Sequence, residues 1–132
     1  MGQTCRRLGS GSAAHDSTAG GDMVRGHVGA TVDKVLREVV SDNGTGTAAK
    51  SSGYRWAGKA GTAQQVDPTT GEYSNVRYDA SFVGYAPAEN PQLLVAVVVD
   101  EPTIGSYYGG DVAAPAFEDI AEFSLRSLRI AP

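Results

Sequence analysis

Lys59, Gly61 and Thr62 stand together in Trp56-Ala57-Gly58-Lys59-Ala60-Gly61-Thr62-Ala63-Gln64, a stretch that reads as one short strand. The lysine brings a positive charge, and the threonine brings a hydroxyl beside exposed amides. The small residues let another backbone or a ligand lie close. Side chains alternate across a strand, so Ala60 and Thr62 share one face and Lys59 and Gly61 the other. This is equipment for gripping a carboxylate or a tetrahedral oxyanion. The strand's edge can also pair with extended peptide.

Other residues with chemical potential carry less. Gly53-Tyr54-Arg55-Trp56-Ala57-Gly58-Lys59-Ala60 nearly spells a phosphate loop. That loop needs a helix right after its lysine and a hydroxyl next to it, and Ala60-Gly61-Thr62-Ala63 followed by Asp67-Pro68 supplies neither. Cys5, His15 and His27 fit no zinc spacing, so neither a metal nor a cofactor is expected. Glu118, Asp119 and Glu122 read as a solvated helix face rather than catalytic carboxylates. Tyr107 and Tyr108 sit in a glycine-rich turn, where exposed aromatics either line a ligand groove or cover a sheet edge.

The elements that must position the lysine strand follow from periodicity. The chain's 132 residues suit one domain. A net charge of −4 without a basic run argues against nucleic acid as a partner. Cys5 stands alone, which rules out an internal disulfide. The longest apolar run, Leu93 to Val99, falls well short of the ~20 residues a spanning helix needs, and residues 1–30 lack the apolar region of a secretory signal, so the chain reads as soluble with no signal or anchor. Those first thirty residues are rich in Gly, Ser and Ala and are expected to be poorly ordered, leaving 31–132 as the folded part.

Val32, Val35, Leu36, Val39 and Val40 form one helical stripe, with Thr31 as its cap and Asn43-Gly44 as its stop. Strands are predicted from Tyr54 to Ala63, Ala80 to Ala86 and Leu93 to Val99, separated by the turns at Asp67-Pro68 and Ala86-Pro87. The last strand is continuously apolar, which predicts burial on both faces and the central place among three. Pro115 opens a final helix whose stripe is Phe117, Ile120, Ala121, Ser124, Leu125 and Leu128. The fold class is α+β: a helix, three antiparallel strands and a C-terminal helix, with helices against a sheet.

Several motifs occur in a particular order: Gly58-Lys59-Ala60-Gly61-Thr62-Ala63-Gln64, Ser81-Phe82-Val83-Gly84-Tyr85-Ala86-Pro87, Asn90-Pro91-Gln92, and Tyr108-Gly109-Gly110 followed by Ala113-Ala114-Pro115-Ala116-Phe117. Over residues 31–130 this text resembles class B penicillin-binding proteins, and Lys59 matches the lysine of their Lys-Thr-Gly signature. The resemblance implies the C-terminal part of a penicillin-binding, β-lactamase-like transpeptidase domain. Such an enzyme acylates a serine with a D-Ala-D-Ala stem peptide of peptidoglycan, which β-lactams mimic, and passes the acyl group to an amine. It implies Lys59 and the Thr62 oxyanion amide as catalytic groups, and Ala60, Gly61, Thr62, Tyr107 and Tyr108 as substrate-binding ones. Ala60 departs from the usual Thr or Ser, so the grip on the carboxylate should weaken.

The nucleophile is missing. The chain's lysines are Lys34, Lys50 and Lys59, and none has a serine three places earlier, as Ser-x-x-Lys requires. Ser41-Asp42-Asn43 spells the family's Ser-x-Asn motif, but it falls at a helix end, where those residues serve as caps. The resemblance therefore implies a fragment, inactive alone, of a parent anchored in the membrane with this domain on the outer face, working beside divisome or elongasome proteins. The alternative is a non-catalytic module that binds peptide or a divisome partner along its sheet edge.

Overall fold

A computed structural model describes residues 19–50 and 53–132. Cys5, His15 and the first eighteen residues of the segment expected to be loose lie outside the described residues. The order is α1 (Ala19–Val39), a 3-10 turn (Thr47–Ala49), β1 (Ala57–Val66), β2 (Tyr73–Ala86), β3 (Leu93–Asp100), α2 (Gly109–Val112) and α3 (Ala114–Ser127). The strands form one antiparallel sheet in the order β1-β2-β3. Among the described residues no helix is long and apolar enough to cross a membrane.

The core lies between the sheet and α3. Phe82 on β2 meets Phe117 on α3 with ring centroids 4.8 Å apart, and Trp56 meets the edge of Phe117 at 5.8 Å. Phe117, Ala121 and Leu125 are the buried row of α3, spaced i, i+4, i+8. The indole of Trp56 donates to the Ala49 carbonyl, so the 3-10 turn is tied to this core. Ile120 and Leu128, expected in the same stripe, are exposed instead. The helix packs on the sheet through a narrower face than the sequence suggests.

Three further expectations are corrected. The first helix begins at Ala19, so Thr31 is not its cap; the Thr31 hydroxyl donates to the His27 carbonyl one turn back, 3.0 Å away. Val28 continues the spacing of Val32 and Val35, a row masked in the sequence by Gly26 and Gly29. The first two strands are offset or longer: β1 runs to Val66 and β2 starts at Tyr73, because the polar segments Gln64 to Val66 and Tyr73 to Asp79 pair with each other. Tyr54 and Trp56, expected in the strand, pack into the core before it starts.

The third correction concerns β3. It is an edge strand and β2 is central, and its residues alternate between half-buried and exposed. Leu93, Val95, Val97 and Val99 pack toward the core, whereas Leu94 and Val98 point to solvent. A continuous apolar run reads as burial on both faces, but the described residues cover one.

At the Ala57–Tyr85 end of the sheet, α1 is held by a polar cluster. Asp33 accepts from Arg37 Nε at 2.7 Å and from the Tyr85 hydroxyl at 2.5 Å, and Arg37 also donates to the Ala88 carbonyl at 2.5 Å. The hydrogen bond from Arg37, then that from Tyr85, holds the Asp33 carboxyl below its ordinary value. Such a carboxylate stabilises the fold above its unfolded pKa, and that stability is lost as pH falls through the lower folded value. Asp33 is thus expected to titrate below an ordinary aspartate in an NMR pH series, and Arg37→Met to move it upward.

Core truncation gives the complementary measurement. Phe117→Ala is expected to destabilise the chain by about 3–5 kcal/mol, seen as a lower urea midpoint at unchanged slope.

Candidate active-site wall

The outer edge of β1, without a strand partner among the described residues, borders a cleft of about 490 Å³. It is lined by Lys59, Ala60, Gly61 and Thr62 of β1, by Thr45, and by Tyr108 to Asp111. The strand register explains how the side chains divide. Lys59 lies opposite Val83, which lies opposite Ala96, on the sheet face away from the core. Ala60 lies opposite Phe82 and packs against the core cluster, and Thr62 shares that side. Lys59 is exposed, and its ammonium donates to the Ala60 carbonyl at 2.8 Å.

Thr62 is held by α2. The Gly109 amide donates to Thr62 Oγ1 at 3.2 Å. With a lone pair occupied by that amide, the hydroxyl keeps its own proton to donate to an acceptor in the cleft. The contact depends on two glycines. A Cβ on Gly109 would lie 2.1 Å from the Ser81 carbonyl oxygen and 2.3 Å from that of Gly61. A Cβ on Gly110 would lie 1.8 Å from the Thr45 carbonyl oxygen. The backbone of α2 therefore meets the backbone of β1, Ser81 and Thr45, which form a single frame.

The aromatic turn has divided duties. Tyr107 stacks on Tyr78 of β2, centroids 4.4 Å apart and planes 16° from parallel, whereas Tyr108 lines the cleft. Their hydroxyls are 3.3 Å apart. That hydrogen bond, followed by the repulsion of a neighbouring phenolate and burial, raises the Tyr107 phenol above its ordinary value and keeps it neutral. The turn is braced by Ser106, whose Oγ donates to Asp111 at 2.6 Å and accepts from the Tyr108 amide at 3.1 Å.

Of the residues singled out in the sequence, Lys59, Ala60, Gly61, Thr62 and Tyr108 meet in one cleft, and Tyr107 backs it. Sequence reasoning missed Thr45, Gly109, Gly110 and Asp111 as parts of its wall. The adjacent glycines after an aromatic pair were the available signal, since such pairs often mark close backbone approach. Ser41, Asp42 and Asn43 lie elsewhere. Ser41 Oγ donates to the Glu38 carbonyl at 2.7 Å and Asp42 pairs with Lys50 at 2.5 Å, so they finish α1. Ser41 also faces a second cavity of about 290 Å³, whose cations are all paired: Arg37 with Asp33 and Glu89, Lys50 with Asp42, and Arg55 with Glu89. Glu118, Asp119 and Glu122 are on α3, outside the cleft, and burial together with Glu122 raises the Glu118 carboxyl. Among the described residues no group of His, Cys, Asp and Glu is placed to hold a metal ion.

Residues 17–122 match the family model for the penicillin binding protein transpeptidase domain. The chain is 43% identical over 101 residues to the probable peptidoglycan D,D-transpeptidase PenA of Neisseria gonorrhoeae, covering 76% of this chain and 17% of that protein. It superimposes on the transpeptidase domain of Burkholderia pseudomallei penicillin-binding protein 3 with a TM-score of 0.66 and 46% identity, covering 76% of this chain and 30% of that one. A TM-score of 0.66 and 34% identity also relate it to penicillin-binding protein 3 of Mycobacterium tuberculosis, solved with ampicillin and with aztreonam, over 76% of this chain and 24% of that one. The chain thus spans less than a third of these proteins. The family match begins at Ser17 and the helix at Ala19, both ahead of the Thr31 boundary drawn from periodicity.

The glycine frame makes a direct prediction. Gly110→Ala cannot place its methyl without moving Thr45 or α2. It is expected to cost at least about 1–3 kcal/mol of stability in chemical denaturation, and to weaken amide-exchange protection at Gly61 and Thr62.

Proposed function

Because the chain belongs to the penicillin-binding protein transpeptidase family, we propose that it supplies one wall of a serine D,D-transpeptidase site that cross-links peptidoglycan stem peptides and accepts β-lactams. The observation that carries this reading is the Lys59 to Thr62 cleft, with its ammonium and its oriented hydroxyl. The Lys59 ammonium makes the cleft positive toward the terminal carboxylate of a stem peptide. The Thr62 hydroxyl donates to that carboxylate, and the Thr62 amide serves the oxyanion. Gly61 lets the acyl donor lie close along the strand. Tyr108, steadied by Tyr107, forms the aromatic side of the donor site.

Acylation needs a nucleophile, and no lysine of this chain has a serine three residues before it. We therefore assign the chain no covalent chemistry of its own: it orients the donor and stabilises charge for a serine carried on other sequence. In the parent the domain would work on the outer face of the cytoplasmic membrane, with divisome or elongasome proteins as neighbours. A second reading, a non-catalytic module that takes extended peptide along its sheet, is supported by the outer edges of β1 and β3, which have no strand partner among the described residues.

Two measurements test the first reading. The purified chain is expected to take no covalent label from fluorescent penicillin, and labelling at any serine would overturn the assignment. Grafting the chain into the Burkholderia pseudomallei domain, in place of the stretch it matches, should restore labelling. There Ala60→Thr adds one hydrogen bond at the half-buried position next to the lysine. It should raise the acylation rate constant by about 2- to 12-fold, the equivalent of a ~0.5–1.5 kcal/mol bond. An unchanged rate would remove Ala60 from the donor site and favour the second reading.

A further inference from the structure

The cleft carries two charges of opposite sign. Lys59 and Asp111 are its charged lining residues, and the rest of its lining is neutral. Both are exposed, and among the described residues neither joins an ion pair. The Lys59 ammonium is matched to the donor's terminal carboxylate, but that carboxylate and its acyl group give Asp111 nothing to bind. Bracing the turn does not call for a charge either. The Asp111 amide closes the turn by donating to the Tyr108 carbonyl at 3.0 Å, and Asp111 Oδ2 accepts from the neutral Ser106 hydroxyl at 2.6 Å. An asparagine would accept that bond as well. Asp111 Oδ1 has no hydrogen-bond donor among the described residues. The Tyr108 ring lines the same cleft, 56% exposed, and is set against Tyr107 with centroids 4.6 Å apart. A carboxylate attracts a cation by its charge, and an aromatic face does so by its quadrupole.

We propose that Asp111 and Tyr108 bind the primary ammonium of the amine that accepts the acyl group. Transpeptidation joins two substrates of opposite charge: the donor presents a carboxylate, and the acceptor arrives as an ammonium. The cleft offers Lys59 and Thr62 to the first and Asp111 with Tyr108 to the second. Asp111 stands two residues beyond Gly109, whose amide holds Thr62 Oγ1, so one stretch of backbone sets both subsites. The role is binding. The ammonium gives one proton to solvent, and its nitrogen then bonds the acyl carbon as the bond to the serine oxygen breaks. That oxygen takes a second proton from the nitrogen. A hard metal ion is a poor occupant, because a single carboxylate supplies too few oxygens for one. That the amine is the acyl acceptor rests on the transpeptidase reading; the ammonium site does not.

The test starts with the full chain, titrated at pH 7 and low salt with glycinamide, a small primary ammonium, and followed by amide NMR. N-acetylglycinamide is the neutral control. Saturable shifts are expected at Tyr108 to Asp111 with glycinamide and not with the control. Asp111→Asn should weaken glycinamide by about 2- to 5-fold, the range of an exposed charge pair. Asp111→Glu should restore it, and Ser106→Ala, which removes the brace and keeps the carboxylate, should not weaken it. The second arm is the graft in the Burkholderia pseudomallei domain, supplied with a thioester analogue of the donor. The ratio of amide to hydrolysis product reports how the acyl-enzyme divides between glycinamide and water, whatever the rate of acylation. Asp111→Asn should lower that ratio by about 2- to 5-fold, and added salt should lower it in the parent graft but not in the variant. Equal shifts with the neutral control, shifts elsewhere on the chain, or an Asp111→Asn variant that binds and partitions unchanged would each overturn the proposal. So would Ser106→Ala matching Asp111→Asn, since the carboxylate would then serve only the turn. Glycinamide bound at Asp111, with a graft that forms no acyl-enzyme, upholds the ammonium site and overturns the transpeptidase reading.

Discussion

The candidate site rests on a contact that involves no side chain on one of its partners: the backbone of Gly109 and Gly110 pressed against β1, Ser81 and Thr45. From it a line of hydrogen bonds runs into the core. The Gly109 amide donates to Thr62 Oγ1, the Gly109 carbonyl accepts from the Ala113 amide at 3.0 Å, and the Ala113 carbonyl accepts from the Phe117 amide at 3.0 Å. The phenylalanine at the end of that line is the one against which Phe82 and Trp56 pack. A threonine in the cleft is thereby indexed to the hydrophobic core through backbone alone. That is stiffer than any chain of side-chain rotamers, because backbone groups in a helical turn have little freedom to rearrange. Buried Ala113 and Ala114 serve the same end, since a larger residue at either place would lift α2 from the sheet.

The alternation of β1 then assigns opposite environments to neighbouring residues. Lys59 must face away from the core to keep its charge hydrated, and Ala60, one residue on, must face inward against the core cluster. The departure from a hydroxyl residue at position 60 falls at the boundary between these environments. A methyl there packs against the core cluster and leaves the position without a hydroxyl. Thr62, two residues on, keeps the hydroxyl, and Gly109 fixes its direction. The wall therefore retains its best-oriented donor.

How much of this was legible in the sequence depended on which force decided each element. The lysine strand, the final helix and its Pro115 start were legible because period, turn residues and motif spacing agree there. Thr45 and Asp111 were not, because they reach the cleft through tertiary placement by two glycines rather than through any local pattern. The early half of α1 was hidden by its glycines, which lower helix propensity without forbidding the helix once the apolar row of Val28, Val32 and Val35 continues it. The polar extension of β1 and β2 was hidden for the opposite reason. Gln65 Nε2 bridges Asp79 and Asp100 at 2.7 and 2.5 Å, so cross-strand polar pairing holds a region with no apolar alternation to read.

The misplacement of β3 is the most instructive of these, because the sequence pattern and the structure disagree for a physical reason. A strand that expects solvent on one face gains nothing from Leu94 and Val98 there. Each exposed apolar side chain forgoes about 1.5–3 kcal/mol of burial and raises the risk of edge pairing. The half-buried set, Leu93, Val95, Val97 and Val99, would suffice to close the core against α3. The second apolar set has no cover among the described residues. The same is true of the row on α1, where Val28, Val32 and Val35 are exposed while Val39 and Val40 pack against the core. Both rows are written for a larger core than the described residues enclose, which fits a chain spanning 17% of its PenA relative. The apolar content of β3 thus exceeds what a strand covered on one face requires.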